Sequence, residues 1–497
     1  MKTEMNKVGD FYELDIGTDL EQSKHFNQDL APTKVKERTW NKWNIAALWV
    51  GMAICVPAYT LGGVLTAYFG LSVTEALVTI LIANIVVLIP LTLNAMAGTK
   101  YGIPFPILLR SSFGIKGSNI PCLIRGFVAC GWFGIQTMFG GLAIHLFLSE
   151  ISSSWASLGG TGEVLGFFLF WALNILVVIK GANSIKWLET LSAPILFAVA
   201  LGLLFWASDK VSYTEILATP ANRPADAGLW TYFLSGLTAM VGFWATLSLN
   251  IPDFSRYAKT QKDQVVGQIL GLPLTMFMFA ALGVVLTAAS EPLFGQVISD
   301  PVTMIGQIDS PIGVAIAMLL IIIATLSTNT AANVVSPTND FQNIAPAYIN
   351  HTKGVLMTGL LGLVLMSWEL MKKLGWIESD ISIESTLSNW LLGYSSLLGP
   401  IAGIMIVDYF LIKKQSLNVI ALYQEGAHPS VNWIGMFAFL IPMACTFVAI
   451  SFDVLTWFYH YGWFTGAFAG ALLYYLGCRY VPRSVSSLTP STVNTAK

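Results

Sequence analysis

The sequence predicts an all-α polytopic membrane protein with about 12 transmembrane helices, and three observations support that prediction. Of the 497 residues, 55% are hydrophobic and only 11% are charged, whereas soluble proteins carry roughly 25% charged residues. Long stretches without a charged residue recur along the whole chain. The basic residues, moreover, are distributed as expected for a chain that crosses a bilayer an even number of times.

Apolar stretches locate the individual helices, because a membrane helix needs roughly 20 predominantly apolar residues. Ten of the predicted spans are free of charged residues, and two, at 163–182 and 353–371, contain charge at their edges. In chain order, the predicted spans are 43–74, 76–99, 126–149, 163–182, 190–208, 227–252, 264–290, 310–339, 353–371, 385–407, 426–452 and 454–478.

The flanking segments are polar, and the first lacks the apolar core of a secretory signal peptide. We expect residues 1–42 to be cytoplasmic and partly disordered, residues 43–482 to form the transmembrane domain, and residues 483–497 to form a cytoplasmic tail. With this topology, 22 of the 26 basic residues fall on the cytoplasmic side, where membrane proteins retain Lys and Arg. The exceptions are Lys210, Arg223, Lys372 and Lys373.

Composition and motifs argue against several classes of function. A net charge of -2 without a dense basic run disfavours a nucleic-acid partner. The five cysteines include no C-x-x-C pair, so a disulfide framework and a zinc site are also disfavoured. The sequence contains no P-loop, HExxH or nucleophile-elbow motif. We therefore expect neither an enzyme nor a bound cofactor.

Two spans contain residues that fit poorly in a continuous helix. The first, NIAALWVGMAICVPAYTLGG, has Gly51 and then Pro57 in mid-membrane, and a proline removes a backbone hydrogen bond. The sixth, LSGLTAMVGFWATLSLNIP, has Gly236 and Gly242. The two spans correspond if the first ten form two five-helix repeats, and matched breaks point to the substrate site of a secondary transporter. For either break alone, the alternative is that Gly and Pro are common in membrane helices.

Oxygen donors for a cation gather in the eighth span, whose segment ATLSTNTAANVVSPTND is unusually polar. Unwound backbone in a membrane needs partners for its freed carbonyl groups, and a cation can be one. The hydroxyls of Ser327 and Thr328 and the carbonyls of Ala324, Gly51 and Ile54 would make an oxygen cage, which we predict as a sodium site. The alternative is that the hydroxyls bond to their own or neighbouring helices.

A flat heteroaromatic ring is the substrate that the third span suggests, through the segment GFVACGWFGIQTMFGG. Trp132 and Gln136 stand four residues apart on one helix face, where an indole can stack on the ring and a carboxamide can bond to its edge. We expect Trp244 of the sixth span to cover the other face and Asn333 to bond to the edge. Taken singly, such residues also fit an interfacial Trp belt or a Gln that bridges helices.

Six segments of the chain are specific enough to indicate a family. They are NQDLAPT with the RTW that follows it, GTKYGIPFPILLRSSFGIKG, GWFGIQT, NIPDFSRYAK, ATLSTNTAANVVSP and LLGPIAGIMIVDYFLIKK. Together they resemble the nucleobase:cation symporter-1 family over nearly the whole membrane region. The resemblance implies a leucine-transporter-like fold, with two inverted five-helix repeats and two further C-terminal helices, that works by alternating access.

The resemblance also implies roles for individual residues. The substrate ring would be bound by Trp132, Gln136, Trp244 and Asn333. The ion of the family's sodium-dependent hydantoin transporter would have its counterpart site at Gly51, Ile54, Ala324, Ser327 and Thr328. Cys55 stands where some relatives have Gln or Asn, so this chain has one polar contact fewer to the substrate. Phe243 precedes Trp244, and a shift of one residue in the unwound segment would exchange their roles.

Three strings, GWFGIQT, NIPDFSRYAKTQ and NWLLGYSSLLGPIAG, look most similar to the branch with plant plastid nucleobase carriers of broad purine and pyrimidine specificity. We therefore expect the chain to import uracil or a similar nucleobase together with Na⁺ or H⁺. Allantoin, hydantoin or a vitamin-like ring such as nicotinamide or thiamine is the alternative substrate. We expect a monomer in a bacterial inner membrane, with both termini in the cytoplasm.

Overall fold

The structure is a computed structural model. The described residues are 2–180, 182–224, 226–379, 383–452, 454 and 456–481. For residues 182–192 and 383–384, only the backbone is described. The predicted C-terminal tail, 483–497, lies outside the described residues.

Helices make up most of the described chain, as the predicted all-α class requires. Up to the sixth predicted span they are α1 (Thr18–Glu21), α2 (Lys42–Ala53), α3 (Val56–Ala67), α4 (Val73–Tyr101), α5 (Phe105–Phe113), α6 (Asn119–Ile151), α7 (Ser153–Ala156), α8 (Gly160–Lys180), α9 (Ala182–Ser208), α10 (Tyr213–Leu217), α11 (Leu229–Phe243), α12 (Ala245–Asn250) and α13 (Pro252–Ser255). The later helices are α14 (Gln261–Phe294), α15 (Pro301–Gly306), α16 (Pro311–Asn333), α17 (Val335–Ile344), α18 (His351–Lys373), α19 (Ile383–Val407), α20 (Trp433–Phe452), α21 (Thr456–His460) and α22 (Gly462–Tyr480).

The N-terminal segment, which the sequence predicts to be partly disordered, contains a docked β-hairpin. Strands β1 (Glu4–Val8) and β2 (Phe11–Asp15) pair antiparallel. Tyr12 of β2 stacks on Tyr101 at the end of α4, with ring centroids 5.1 Å apart. The guanidinium of Arg38, which is 4% exposed, donates to the backbone carbonyl of Tyr12 at 2.8 Å. We call the end of the molecule that carries these contacts the hairpin end, and the opposite end the far end.

Each predicted span overlaps at least one helix, although not all of these helices are equally apolar. Among the described residues, eight helices are long and apolar enough to cross a membrane. If the bent pair α2 and α3 is counted as one span, the number of candidate spans is nine. The remaining predicted spans are 190–208, 227–252 and 454–478. Two of them contain the short apolar helices Ala193–Ser208 and Leu229–Phe243, and the third contains α22, whose glycines and tyrosines lower its hydropathy.

Both predicted breaks are present, at Ile54 and Cys55 in the first span and at Trp244 in the sixth. The first span bends by 58° between α2 and α3. Cys55 is extended there, with φ -144 and ψ 154, and its amide donates to the carbonyl of Ala53 at 3.1 Å. The Gly51 carbonyl therefore lacks the amide four residues on that a continuous helix would supply. In the sixth span, Trp244 separates α11 from α12.

Close helix packing positions these breaks. Helix α14 runs along both halves of the first span, where a Cβ on Gly283 would lie 2.0 Å from the carbonyl oxygen of Tyr59. A Cβ on Gly271 would lie 2.7 Å from the carbonyl oxygen of Ala46. Small residues allow such backbone approach in membrane helices. Helix α16 packs against α6 and α2, and α12 also contacts α6, so the broken spans and the third and eighth spans surround one region.

Candidate substrate and cation site

Aromatic side chains of the third and sixth spans meet at the break in the sixth. Trp132 of α6 packs edge-on against Phe243, with ring centroids 5.2 Å apart. Phe243 packs edge-on against Trp244 at 4.9 Å. All three side chains are buried. Phe243, rather than Trp244, is therefore the sixth-span ring in contact with Trp132.

Hydrogen bonds hold the two indoles in different directions. The Nε1 of Trp132 donates to the hydroxyl of Tyr394 at 3.2 Å, and that hydroxyl donates to the carbonyl of Gly242 at 2.9 Å. The Nε1 of Trp244 donates to Oδ1 of Asn84 in α4 at 3.1 Å. Trp244 thus bonds to the second span, whereas Trp132 bonds to the tenth.

A polar contact links the third and eighth spans next to these rings. Gln136 lies one turn after Trp132 and is 5% exposed. Its Oε1 accepts a hydrogen bond from the hydroxyl of Thr328 at 3.1 Å. The same hydroxyl lies 3.3 Å from the carbonyl oxygen of Ala324. Thr328, predicted as a cation ligand, therefore contacts Gln136, predicted as a substrate ligand.

Asn333 lies at the end of α16, further along the same helix. Its amide nitrogen donates to Oδ1 of Asn329 at 2.9 Å. Asn329 in turn donates to the backbone carbonyl of Phe133 in α6 at 3.2 Å. Asn333 is thus oriented by Asn329, and no hydrogen bond between described residues joins it directly to Gln136.

The predicted cation ligands lie on two helices that pack together, α2 and α16. Ser327 is fully buried, and its hydroxyl has no hydrogen-bond partner among the described residues. The hydroxyl of Thr325 shares this property, although the sequence did not single it out. Buried hydroxyls without partners are costly in a membrane protein. Hydroxyl and carbonyl oxygens are hard donors that suit an alkali cation, and the freed Gly51 carbonyl adds to them.

Cys55 and Ile54 form the break of the first span itself. Both are buried, at 3% and 6% exposure. The carbonyl of Cys55 accepts hydrogen bonds from the amides of Ala58 and Tyr59 at the start of α3. Cys55 therefore caps α3 through its backbone, which leaves its thiol as the group available to a ligand.

Two residues of this region were missed by the sequence reasoning, and both had a detectable signal. Asn84 is a buried carboxamide in the middle of the predominantly apolar second span. Tyr394 is the central aromatic residue of the string NWLLGYSSLLGPIAG, which resembles the branch with plant plastid nucleobase carriers. Their partners are 160 and 262 residues away in the chain, so sequence spacing alone does not reveal the contacts.

The rings, amides and hydroxyls of the site are all uncharged. The described part of the chain contains no group of three or more His, Cys, Asp or Glu that could hold a metal ion. The buried ion pair of Arg125 and Asp340, with a nitrogen–oxygen distance of 3.0 Å, lies about two turns before Trp132 on α6. The side chains that meet at the candidate site are therefore neutral, and the buried ion pair lies apart from them.

Comparison with known proteins identifies the family. The family model described as permease for cytosine/purines, uracil, thiamine, allantoin matches residues 32–478. A purine-uracil permease of Arabidopsis thaliana is 43% identical over 404 residues, which are 80% of this chain and 66% of that protein. An allantoin permease of Bacillus subtilis is 37% identical over 485 residues, which are 95% of this chain and 96% of that protein.

Solved structures agree on the fold. The structure of Mhp1, described as a nucleobase-cation-symport-1 family transporter in a closed conformation with bromovinylhydantoin bound, matches with a TM-score of 0.75. The match has 26% sequence identity and covers 92% of this chain and 96% of Mhp1. A Na⁺-coupled sialic acid symporter matches with a TM-score of 0.60 at 14% identity, which concerns the fold alone. The fold is thus the leucine-transporter-like arrangement of a multi-pass membrane protein, and the chain belongs to the nucleobase:cation symporter-1 family of permeases.

Proposed function

We propose that this permease imports a nucleobase, uracil or a similar purine or pyrimidine, by cation symport and alternating access. The observation that carries the proposal is the contact between Gln136 and Thr328, because it joins a group suited to a ring edge to a group suited to a cation. The purine-uracil permease of Arabidopsis thaliana, at 43% identity, supports this choice of substrate.

The substrate ring is bound between aromatic faces and is recognised at its edge. Trp132 stacks on one face. Phe243 is the sixth-span ring in contact with Trp132, and because it packs edge-on at 5.2 Å it must turn away from Trp132 to cover the second face. Trp244, which bonds to Asn84, forms the wall behind Phe243. Gln136 can donate to a ring carbonyl and accept from a ring N–H, as a carboxamide allows.

Two further residues complete the edge of the proposed pocket. Asn333 provides a second carboxamide, and its bond to Asn329 supports a fixed orientation of that amide. Cys55 provides a thiol, which is only a weak hydrogen-bond donor. A pocket built this way distinguishes rings mainly by the pattern of carbonyl and N–H groups along one edge.

The coupling cation in this proposal is Na⁺, and H⁺ is the alternative. Ser327 supports the sodium site most directly, because its buried hydroxyl lacks a partner among the described residues. The complete proposed ligand set is Gly51, Ile54, Ala324, Ser327 and Thr328. Thr328 can donate its proton to Gln136 and direct an oxygen lone pair to the cation, so bound sodium would orient the amide that receives the ring.

Allantoin is the second candidate substrate, and one observation favours it. The allantoin permease of Bacillus subtilis aligns with 95% of this chain and over 96% of its own length. Hydantoin is a further alternative, since bromovinylhydantoin is the ligand named for the Mhp1 structure. A vitamin-like ring such as nicotinamide or thiamine is a more distant alternative.

The proposal also assigns an orientation and a membrane. The hairpin end faces the cytoplasm, because the loops at that end carry most of the basic residues. The protein works as a monomer in a bacterial inner membrane, with both termini in the cytoplasm.

Uptake competition tests the proposed substrate. Cells that express the full chain would be assayed for uptake of labelled uracil, against an excess of unlabelled nucleobases, hydantoins, allantoin, nicotinamide or thiamine, with and without sodium. We expect other nucleobases to compete best and sodium removal to reduce uptake. Competition by allantoin alone, or by none of the rings, would overturn the nucleobase assignment.

A single substitution tests the proposed pocket. Gln136→Ala should abolish uptake of the best competitor while the protein still reaches the membrane, because the ring loses its edge contact and Thr328 loses its acceptor. Gln22→Ala, at an exposed position of the N-terminal segment, is the matched control and should transport normally. Normal uptake by Gln136→Ala would show that the ring binds elsewhere.

A further inference from the structure

An apolar groove lies at the far end of the molecule, apart from the candidate site. It is bounded by α9, α14 and α16 and has a volume of about 790 Å³. Its walls are mainly aliphatic and include Val199, Leu203, Leu293, Val314, Ala317 and Leu320. Ile316, which also lines the groove, is 56% exposed. An apolar groove on the outside of a membrane protein, with exposed aliphatic residues beside it, faces hydrocarbon.

The mouth of the groove carries one positive and one negative side chain. Lys210, just after α9, and Asp309, just before α16, both line it and are both exposed. The Nζ of Lys210 lies 5.4 Å from the ring centroid of Trp206, and Trp206 stacks on Phe294 at the end of α14 with centroids 5.9 Å apart. Among the described ion pairs, none involves Lys210 or Asp309.

We propose that the groove binds phosphatidylethanolamine, with an acyl chain along its aliphatic walls and the headgroup at its mouth. The phosphate accepts a hydrogen bond from Lys210, and the primary ammonium donates to Asp309, so each charge of the headgroup meets its opposite. Phosphatidylglycerol would offer no cation to Asp309. Phosphatidylcholine would offer a quaternary ammonium that cannot donate a hydrogen bond.

The position of the groove gives the bound lipid a role in holding α9. A second, small cavity is lined by Val199 and Leu203, which also line the groove, and by Val56 and Tyr59 of α3. The fifth span therefore stands between the lipid and the helix that follows the break in the first span. An acyl chain in the groove packs α9 against α3, whichever ring the permease carries.

Lipid adducts on the full chain, measured by native mass spectrometry, test the headgroup contacts. Purified protein would be titrated with palmitoyl-oleoyl phosphatidylethanolamine, phosphatidylglycerol and phosphatidylcholine. We expect phosphatidylethanolamine to bind tightest, and Lys210→Gln to weaken it about ten-fold, as the loss of one charge-assisted hydrogen bond implies. Asp309→Asn should reverse the preference in favour of phosphatidylglycerol. Lys262→Gln, at the other end of α14, is the control and should bind as the wild type does.

A second variant tests the groove itself. A Cβ at Gly202, which lines the groove, meets no atom within 4 Å, so the side chain introduced by Gly202→Phe starts in open space and projects from the groove wall. It should remove the phosphatidylethanolamine adduct, whereas Gly228→Phe, at another exposed glycine with open space around it, should keep it. Equal binding of all three lipids, an adduct that survives Gly202→Phe, or displacement of the lipid by uracil would overturn the proposal.

Discussion

The candidate site and the hairpin end both bury polar groups, but they use different chemistry. At the site the buried groups are amides, hydroxyls and rings, as in the bond from Thr328 to Gln136. Near the hairpin end they are charged. Arg125 and Asp340 form an ion pair in which both side chains are fully buried, and Arg110 donates to Oδ1 of Asn343 at 3.0 Å.

This difference separates the part that exchanges ligands from the part that holds helices together. A hydrogen bond between neutral groups contributes roughly 1 kcal/mol and can be replaced by a bond to a ligand or to water. Breaking one partner of a buried ion pair leaves an uncompensated charge, which costs several times more. We therefore expect substitutions near the hairpin end to affect folding, and substitutions at the site to affect transport.

The largest effect is expected from Arg125→Ala. It leaves the carboxylate of Asp340 buried without its cation, and the free energy of unfolding should fall by roughly 3–5 kcal/mol. The melting temperature and the yield of monodisperse protein in detergent measure this loss. Arg479→Ala, at an exposed arginine on α22, is the control.

A double substitution distinguishes charge from packing at the same position. Arg125→Met together with Asp340→Leu removes both charges and keeps most of the volume, so it should recover a large part of the lost stability. Equal melting of Arg125→Ala and the wild type would mean that the hairpin end tolerates buried charge, and the contrast with the site would disappear.

Ser327→Ala should act on transport and leave folding nearly unchanged. Its hydroxyl has no partner among the described residues, so the protein loses no internal hydrogen bond, while the proposed sodium site loses one ligand. The sodium concentration for half-maximal uptake should rise about ten-fold, the equivalent of roughly 1.4 kcal/mol.

The matched control for this change is Ser149→Ala. Ser149 also lies in a membrane helix, but its hydroxyl donates to the backbone carbonyl of His145 at 2.8 Å. It should leave the sodium dependence unchanged. If Ser327→Ala also leaves it unchanged, Ser327 is not a ligand of the coupling ion.

The sequence located the broken spans well, because glycine and proline have local effects on the backbone. The unwound stretch expected from Gly51 to Ile54 overlaps the observed break only at its last residue. Gly51 lies inside α2 and Pro57 inside the first turn of α3, while the chain actually bends at Ile54 and Cys55. Pro57 stops α3 from extending backward, and neither Ile54 nor Cys55 carries a signature of its own.

Contacts between residues in different spans could not be predicted from the sequence. Pairing Trp132 with Trp244 followed from residue type, yet the direction of Trp244 depends on Asn84, which lies in another span. The N-terminal hairpin shows the same limit. Its short strands are mostly polar, and the docking of Tyr12 on Tyr101 depends on tertiary contact.

Tyr394→Phe tests whether Trp132 belongs to the substrate site, and we expect an effect of intermediate size on transport. The change removes the acceptor for Trp132 and the donor to the Gly242 carbonyl, so the indole loses its fixed direction beside the break. Loss of a hydrogen bond between neutral groups weakens binding by roughly 1 kcal/mol, so the KM for the transported ring should rise about five-fold. The concentration dependence of uptake measures this, with Tyr480→Phe, at a 70% exposed tyrosine, as the control. An unchanged KM would mean that Trp132 does not contact the substrate.

The smallest effect is expected at the surface of the hairpin end. Glu425 accepts from Lys24 at 2.9 Å and from Lys116 at 3.3 Å, and these contacts lower its pKa to about 2. A carboxylate with a lowered pKa stabilises the fold above its ordinary pKa near 4.5 and loses that effect only as the pH falls toward 2. Glu425 is therefore ionised throughout pH 5–8. Because the pair is exposed to solvent, Glu425→Gln should barely change the melting temperature.

His25, beside Glu425, should respond to pH in this range instead. The pKa of His25 lies below the ordinary value of 6.5, and the largest cause of this shift is burial of the imidazole. The folded protein then binds this proton less readily than the unfolded chain, so stability falls as the pH drops through 6.5. Melting curves at pH 8 and pH 5 should show this decrease in the wild type and in Glu425→Gln, and a smaller decrease in His25→Gln. If Glu425→Gln removed the decrease, the surface pair rather than the partly buried imidazole would control it, and exposed charges at this end would matter as buried ones do.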